Sequence, residues 1–132
     1  IDLGEWNDIH PLRKKPLGER FAVAVTNEPT GPKILTALRK NQSIELQFQA
    51  EGGPLKIDTR DENELQYFAI AGKDRKFVWA KAHIENNKVF VTSDEVKEPI
   101  FVRYAWSDNP EGANLTNDTG LPAGPFEIAI KP

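Results

Sequence analysis

The sequence predicts a mainly β chain, in which a β-sandwich of about 100 residues follows one helix and a loop that belong to a different unit. Three observations support this prediction. Apolar and polar residues alternate in several short segments from Ile44 onward. Clusters of Gly, Pro, Asn and Asp separate these segments. Only one stretch, near the N-terminus, has the apolar spacing of a helix.

The predicted helix spans residues 16–27 and ends before Pro29. Pro16 suits a first helical position, where its missing N–H needs no partner. Four apolar side chains recur at the i, i+4, i+7 and i+8 spacing of one helix face, and we expect that face to be buried. These residues are Leu17, Phe21, Ala24 and Val25.

The predicted strands alternate with turn signals through the rest of the chain. Residues 65–71 are almost wholly apolar, which indicates a central strand covered on both faces. Asn86 and Asn87 predict a hairpin turn, because Asn tolerates positive φ. Residues 107–125 predict a long ordered loop, rich in Asp, Asn, Gly and Pro. The predicted strands are 44–50, 65–71, 77–84, 89–92, 100–104 and 126–130.

The composition excludes several classes of function. A formal net charge of −3 gives no basic surface for nucleic acid or an anionic membrane. The chain has no cysteine, which excludes disulfides, thiolate catalysis and cysteine-based zinc sites. It also has no methionine, so we expect the 132 residues to be part of a longer protein.

The segment best suited to catalysis is Asn7-Asp8-Ile9-His10-Pro11. Side chains two residues apart in an extended segment point the same way, so Asp8 can contact His10. Pro11 favours an extended backbone at His10. A carboxylate that orients an imidazole is the acid/base half of a hydrolase triad. The alternative is structural, with Asp8 as a cap and His10 exposed to solvent.

Longer motifs at both ends of the chain favour the catalytic interpretation. The N-terminal motif is Leu3-Gly4-Glu5-Trp6-Asn7-Asp8-Ile9-His10-Pro11, followed by Lys14-Lys15 and Gly18-Glu19-Arg20. The C-terminal motifs are Val102-Arg103-Tyr104-Ala105-Trp106, Asn109-Pro110, Asn114-Leu115 and Gly120-Leu121-Pro122-Ala123-Gly124-Pro125-Phe126. In this order they resemble the C-terminal portion of the sialate O-acetylesterase family, which are SGNH-type carbohydrate acetylesterases.

The resemblance implies hydrolysis of acetyl esters on sugars by a Ser-His-Asp mechanism without a metal or organic cofactor. It implies that His10 is the catalytic histidine and Asp8 its acidic partner. Related enzymes often carry an aspartate three residues before the histidine, but that position is the uncharged Asn7. Trp6 would line the acetyl pocket or pack structurally. Residues 1–32 would end an SGNH-type α/β catalytic domain, and residues 33–132 would form an accessory β-sandwich domain.

The serine nucleophile of such a site is not recognisable in this chain. Ser43, Ser93 and Ser107 do not follow the Gly-x-Ser or Gly-Asp-Ser pattern that exposes a hydroxyl at a helix start. We therefore expect the chain alone to be inactive. Its expected partners are an O-acetylated carbohydrate and the N-terminal catalytic segment of the same protein, and the resemblance favours a periplasmic or secreted location.

A non-catalytic β-sandwich that binds carbohydrate or supports a neighbouring domain is the alternative function. Trp79 and Trp106 could form a sugar-stacking surface, although core or inter-domain packing is the commoner role of large aromatics. We expect Arg103 to pair with a carboxylate and His83 to lie on the surface. A metal site formed by Glu5, Asp8 and His10 is disfavoured.

Overall fold

The computed structural model describes residues 3, 10, 12–26, 30–41, 43–49, 51–58 and 64–132. In this part of the chain one helix precedes ten strands. Their bounds are α1 Lys14–Val25, β1 Lys33–Lys40, β2 Ser43–Gln49, β3 Leu55–Ile57, β4 Phe68–Ala71, β5 Val78–Trp79, β6 Lys81–Glu85, β7 Lys88–Thr92, β8 Phe101–Tyr104, β9 Leu115–Asn117 and β10 Phe126–Lys131.

Eight of the strands form a single sheet that nearly closes on itself. Its order is β5-β4-β8-β10-β1-β2-β7-β6. The two edge strands, β5 and β6, are separated only by Ala80, whose N–H donates to the carbonyl of Phe68. One bent segment therefore pairs with β4 through its first half and with β7 through its second half. The mainly β, sandwich-like fold predicted from the sequence is confirmed.

The core lies between the two halves of this curved sheet. It is formed by alternate residues of the strands, as expected where one face of each strand is buried. Phe68, Tyr104 and Phe126 pack together at its centre, with ring centroids 4.7 to 6.4 Å apart. The other large, fully buried side chains include Ile44, Leu46, Ile70, Val89, Val91, Val102 and Leu115.

Most strand predictions are confirmed, but the segment 65–71 differs. Asn86 and Asn87 have φ values of 48° and 60° and form the predicted hairpin turn between β6 and β7. The strand predicted at 65–71 begins only at Phe68, because Tyr67 adopts a left-handed φ of 63°. Leu65 makes only an isolated bridge to Ala82. The apolar run predicted the burial but not the break in the backbone.

The predicted loop 107–125 is ordered and contains the short strand β9, which pairs with β3. The buried side chain of Asn117 donates to the carbonyls of Thr30 and Glu51 and accepts from Leu121 N–H and the Thr119 hydroxyl. Two residues of the C-terminal motifs, Tyr104 and Asn114, act in the same way. The buried Tyr104 hydroxyl accepts from Leu115 N–H, and Asn114 bonds the backbone of Glu64 and Gln66. These motif residues therefore hold the loop against the sheet.

Helix α1 forms as predicted, but its apolar face is not buried, contrary to the prediction. Phe21 is 65 % exposed and Val25 is 79 % exposed, and Leu17 is also exposed. No residue of the helix is buried. An amphipathic helix gains most of its stability in proteins from packing its apolar face, and no described element covers this one. Nothing in the described part of the chain is a helix long and apolar enough to span a lipid bilayer.

Candidate functional site

His10 lies four residues before α1 and is exposed to solvent. Asp8 and Trp6, the other two predicted site residues, lie outside the described residues. The pairing of the Asp8 carboxylate with the His10 imidazole therefore stays a prediction. Leu3, in the same N-terminal segment, is buried but is not part of the main core cluster.

The three serines have structural surroundings rather than those of a nucleophile. Ser43 Oγ donates to the carbonyl of Lys40 at 3.0 Å, at the turn between β1 and β2. Ser93 Oγ accepts from Glu95 N–H at 3.4 Å. Ser107 is an exposed residue after β8. None of them stands at the start of the helix, where a strand-to-helix turn would present the hydroxyl.

A second feature is a surface cavity of about 250 Å³ on the outer face of the sheet, which we call the aromatic cleft. Trp79 and Trp106 flank it and are 69 % and 54 % exposed. The Tyr67 ring packs edge-on against the Trp79 ring, with centroids 5.8 Å apart. The residues that line the cleft are Tyr67, Ala69, Phe77, Val78, Trp79, Arg103 and Trp106.

The strand register places the cleft residues in one row. Trp79 is opposite Ala69 across β5 and β4, and Ala69 is opposite Arg103 across β4 and β8. Arg103 is in turn opposite Glu127 across β8 and β10. Directly opposed residues project from the same face of a sheet. The small Ala69 side chain therefore forms the floor between two large side chains, Trp79 and Arg103.

Arg103 is fixed on several sides. Its Nε–H donates to Glu127 Oε2 at 2.7 Å. The guanidinium carbon lies 3.7 Å from the centroid of the Phe77 ring and 5.1 Å from that of Trp106, within the range of cation–π contacts. Arg75 also pairs with Glu127. The hydrogen bond from Arg103, joined by the charge of Arg75, lowers the pKa of Glu127 despite its partial burial.

These positions decide several sequence predictions. The carboxylate partner predicted for Arg103 is Glu127, which confirms the structural pairing. His83 is on the surface as predicted and stacks on Phe90 at 5.6 Å. For Trp79 and Trp106, a role in the sandwich core is excluded by their exposure.

Sequence reasoning missed Tyr67, Ala69 and Phe77 as neighbours of the two tryptophans. Tyr67 and Ala69 lie in one chain segment, Phe77 and Trp79 in a second and Trp106 in a third, and only the strand register brings the three together. The metal site considered for Glu5, Asp8 and His10 falls largely outside the described residues. Among the residues that are described, no group of three or more His, Asp or Glu side chains could hold a metal ion.

The fold and the cleft define a β-rich domain that carries one helix outside its core. No protein-family model matches the chain, and no curated protein does. A solved structure does match: that of a carbohydrate acetylesterase from Xanthomonas citri, described as novel, with a TM-score of 0.88 and 38 % sequence identity. The alignment covers 97 % of this chain and 31 % of that enzyme.

This chain is thus a domain related to the carbohydrate acetylesterases, spanning about a third of the length of the matching enzyme. The resemblance predicted from the two terminal motifs is confirmed at this level. The sialate specificity and the SGNH-type mechanism stay predictions.

Proposed function

We propose that the chain is the C-terminal part of a carbohydrate O-acetylesterase, similar to sialate 9-O-acetylesterases, whose serine nucleophile lies on a segment outside these 132 residues. The observation that carries the proposal is the match to a carbohydrate acetylesterase over 97 % of this chain but only 31 % of that enzyme. A related protein of that size has room for a complete catalytic domain beside the region that this chain resembles.

In the proposed mechanism His10 acts first as a base and then as an acid. It takes the proton from the serine hydroxyl while the serine oxygen attacks the acetyl carbonyl carbon. The protonated imidazole then gives that proton to the departing sugar oxygen, which leaves an acetyl-serine. Water then attacks the acetyl carbonyl carbon while His10 takes a proton from it, and His10 gives that proton to the serine oxygen as acetate leaves and the serine hydroxyl is restored. Asp8 orients the imidazole and stabilises its protonated form.

The exposed face of α1 favours this proposal over a self-contained sandwich module. A helix native to such a module would pack its apolar face on the sandwich, whereas Leu17, Phe21 and Val25 are all exposed. Complete burial of a large aliphatic or aromatic side chain contributes about 1.5–3 kcal/mol. We infer that this face packs against the catalytic segment that carries the serine, which also brings the nearby His10 to the nucleophile.

The proposal is tested on the longer protein that contains this chain, by measuring acetate release from acetylated sugars. We expect His10→Ala to lower kcat by about 10⁴-fold or more, and Asp8→Asn by about 10³–10⁴-fold, because each removes part of one acid/base unit. His83→Ala is the matched control, since His83 is the second histidine of the chain and is an exposed residue of β6. Loss of activity with His83→Ala but not with His10→Ala would contradict the assignment.

The same measurement separates the possible substrates. Release of acetate from 9-O-acetylated sialic acid supports the sialate-like specificity. Release from acetylated xylan alone would place the protein among esterases of plant-type glycans. Release from neither substrate, by a folded longer protein, would contradict the proposed activity.

A further inference from the structure

We propose that the aromatic cleft is a carbohydrate-binding site that holds one sugar ring between Trp79 and Arg103. The inference depends on the geometry of the cleft and not on His10 or the missing serine. It assigns the β domain a binding role of its own.

The first argument is the exposure of the aromatic side chains. A single exposed aromatic residue is ordinary on a protein surface. Here two indole side chains, 69 % and 54 % exposed, border the same cavity. Clustered apolar surface of this kind marks an interaction site. An indole face also suits a sugar ring, whose C–H groups form an apolar surface.

The second argument is the width of the cleft. Adjacent strands lie about 4.7–4.9 Å apart, so the backbones of β5 and β8 at Trp79 and Arg103 are about 10 Å apart, with Ala69 of β4 between them. The small Ala69 side chain leaves space above β4 between these two larger side chains. The cavity of about 250 Å³ is smaller than the ~300–1,000 Å³ of ordinary small-molecule pockets. The cleft therefore fits one ring of a glycan.

The third argument is that the backbone holds the cleft in an unfavourable conformation. Tyr67 and Ala105 both have left-handed φ values, 63° and 50°, which non-glycine residues rarely adopt. They are joined by a hydrogen bond of 3.0 Å from Ala105 N–H to the Tyr67 carbonyl. A Cβ on Gly112 would lie 2.8 Å from the Tyr67 ring, so glycine is needed there to accommodate the ring. Backbone strain of this type is costly and clusters at binding sites.

The fourth argument is the polar chemistry of the Arg103 wall. Of the five N–H donors of a guanidinium, the contacts described for Arg103 use one, from Nε to Glu127. The remaining donors suit sugar hydroxyl oxygens. Because Arg75 and Arg103 share one carboxylate, the local charge is positive, which disfavours a cation as the ligand. Seven residues line the cleft, far fewer than the roughly 20–30 residues that each partner contributes to a stable protein interface, so a sugar is favoured over a protein.

The test uses the indole N–H signals of the 132-residue chain in a two-dimensional ¹H–¹⁵N NMR spectrum. The chain has three tryptophans, so each gives one resolved probe. Xylohexaose, cellohexaose and mannohexaose are titrated separately. We expect at least one of them to shift the signals of Trp79 and Trp106 in a saturable manner and to leave that of Trp6 unchanged.

Variants make the test specific to the cleft. Trp79→Ala is expected to weaken binding roughly tenfold or more through loss of the stacking surface. Trp79→Tyr should retain part of the affinity because it keeps an aromatic face. Leu35→Ala is the matched control, since Leu35 is an exposed apolar side chain on β1 outside the cleft. Unchanged backbone signals outside the cleft show that each variant is folded.

Two results would overturn the inference. One is the absence of any shift with all three oligosaccharides, and the other is binding that survives Trp79→Ala. If the Trp79 and Trp106 signals instead change on going from this chain to the longer protein, without sugar, the cleft is a contact between domains. Since the titration requires no hydrolysis, its outcome is independent of the proposed esterase activity.

Discussion

Replacing Asn117 by alanine removes four side-chain hydrogen bonds from a residue that is 1 % exposed. The Asn117 amide joins the chain at Thr30 and Glu51 to the loop at Thr119 and Leu121. Each buried hydrogen bond contributes a net ~0.5–1.5 kcal/mol. Bonds made by one side chain are not fully additive, so we expect Asn117→Ala to lower the free energy of unfolding by about 2–4 kcal/mol, the lower part of the summed range.

Urea denaturation followed by tryptophan fluorescence measures this effect. With a dependence of about 2 kcal/mol per molar urea, the midpoint should fall by about 1–2 M. Asn109→Ala is the matched control in the same loop, because the Asn109 side chain makes no hydrogen bond to the described residues. The urea midpoint of this variant should change by less than about 0.3 M. A change below 0.5 M (roughly 1 kcal/mol) for Asn117→Ala would refute the conclusion that Asn117 holds the loop against the sheet.

Three further predictions follow from individual contacts. Gly31→Ala should lower the free energy of unfolding by about 1–3 kcal/mol in the same assay, because the new Cβ would lie 1.9 Å from the Pro122 carbonyl oxygen. An unchanged urea midpoint would exclude this close approach. The hydrogen bond from Arg103 is the largest cause of the lowered pKa of Glu127. The Arg103–Glu127 pair therefore stabilises the fold fully above the ordinary carboxyl pKa of 4.5, and this stabilisation is lost as the pH falls through the lowered pKa of Glu127. Glu127→Gln should thus reduce the Tm at pH 7 and have a smaller effect at pH 3, and a Tm difference that grows on acidification would contradict the pairing. Phe21→Ser should change the free energy of unfolding of this chain by less than about 0.5 kcal/mol, because Phe21 is 65 % exposed. In the longer protein, the same substitution should reduce the Tm. Equal effects in both proteins would exclude docking of the apolar face of α1.

Local chemistry explains what the sequence could predict of the fold. Asn86 and Asn87 predicted their turn because positive φ is intrinsic to that residue type, and both have it. Alternation of Ala82 and His83 likewise predicted which side chain of β6 is buried. The left-handed φ of Tyr67 could not be predicted, because a bulky aromatic residue does not favour it and tertiary contacts impose it.

Features that depend on distant residues were beyond the sequence pattern. The row of Trp79, Ala69, Arg103 and Glu127 exists only through the register of four strands. The apolar spacing of α1 correctly predicted a helix, but periodicity cannot tell whether the surface that covers it belongs to the same segment of chain. For His10, the adjacent sequence motif predicted the chemistry, and the match to a carbohydrate acetylesterase supports the class of enzyme.

The most direct test of the proposed function is the rate of 4-nitrophenyl acetate hydrolysis by the 132-residue chain and by the longer protein that contains it. We expect the chain alone to react at the background rate, and the longer protein to hydrolyse the ester at an enzymatic rate that His10→Ala abolishes. Enzymatic hydrolysis by the chain alone, lost on His10→Ala, would show that the nucleophile lies within these residues and would contradict the proposal.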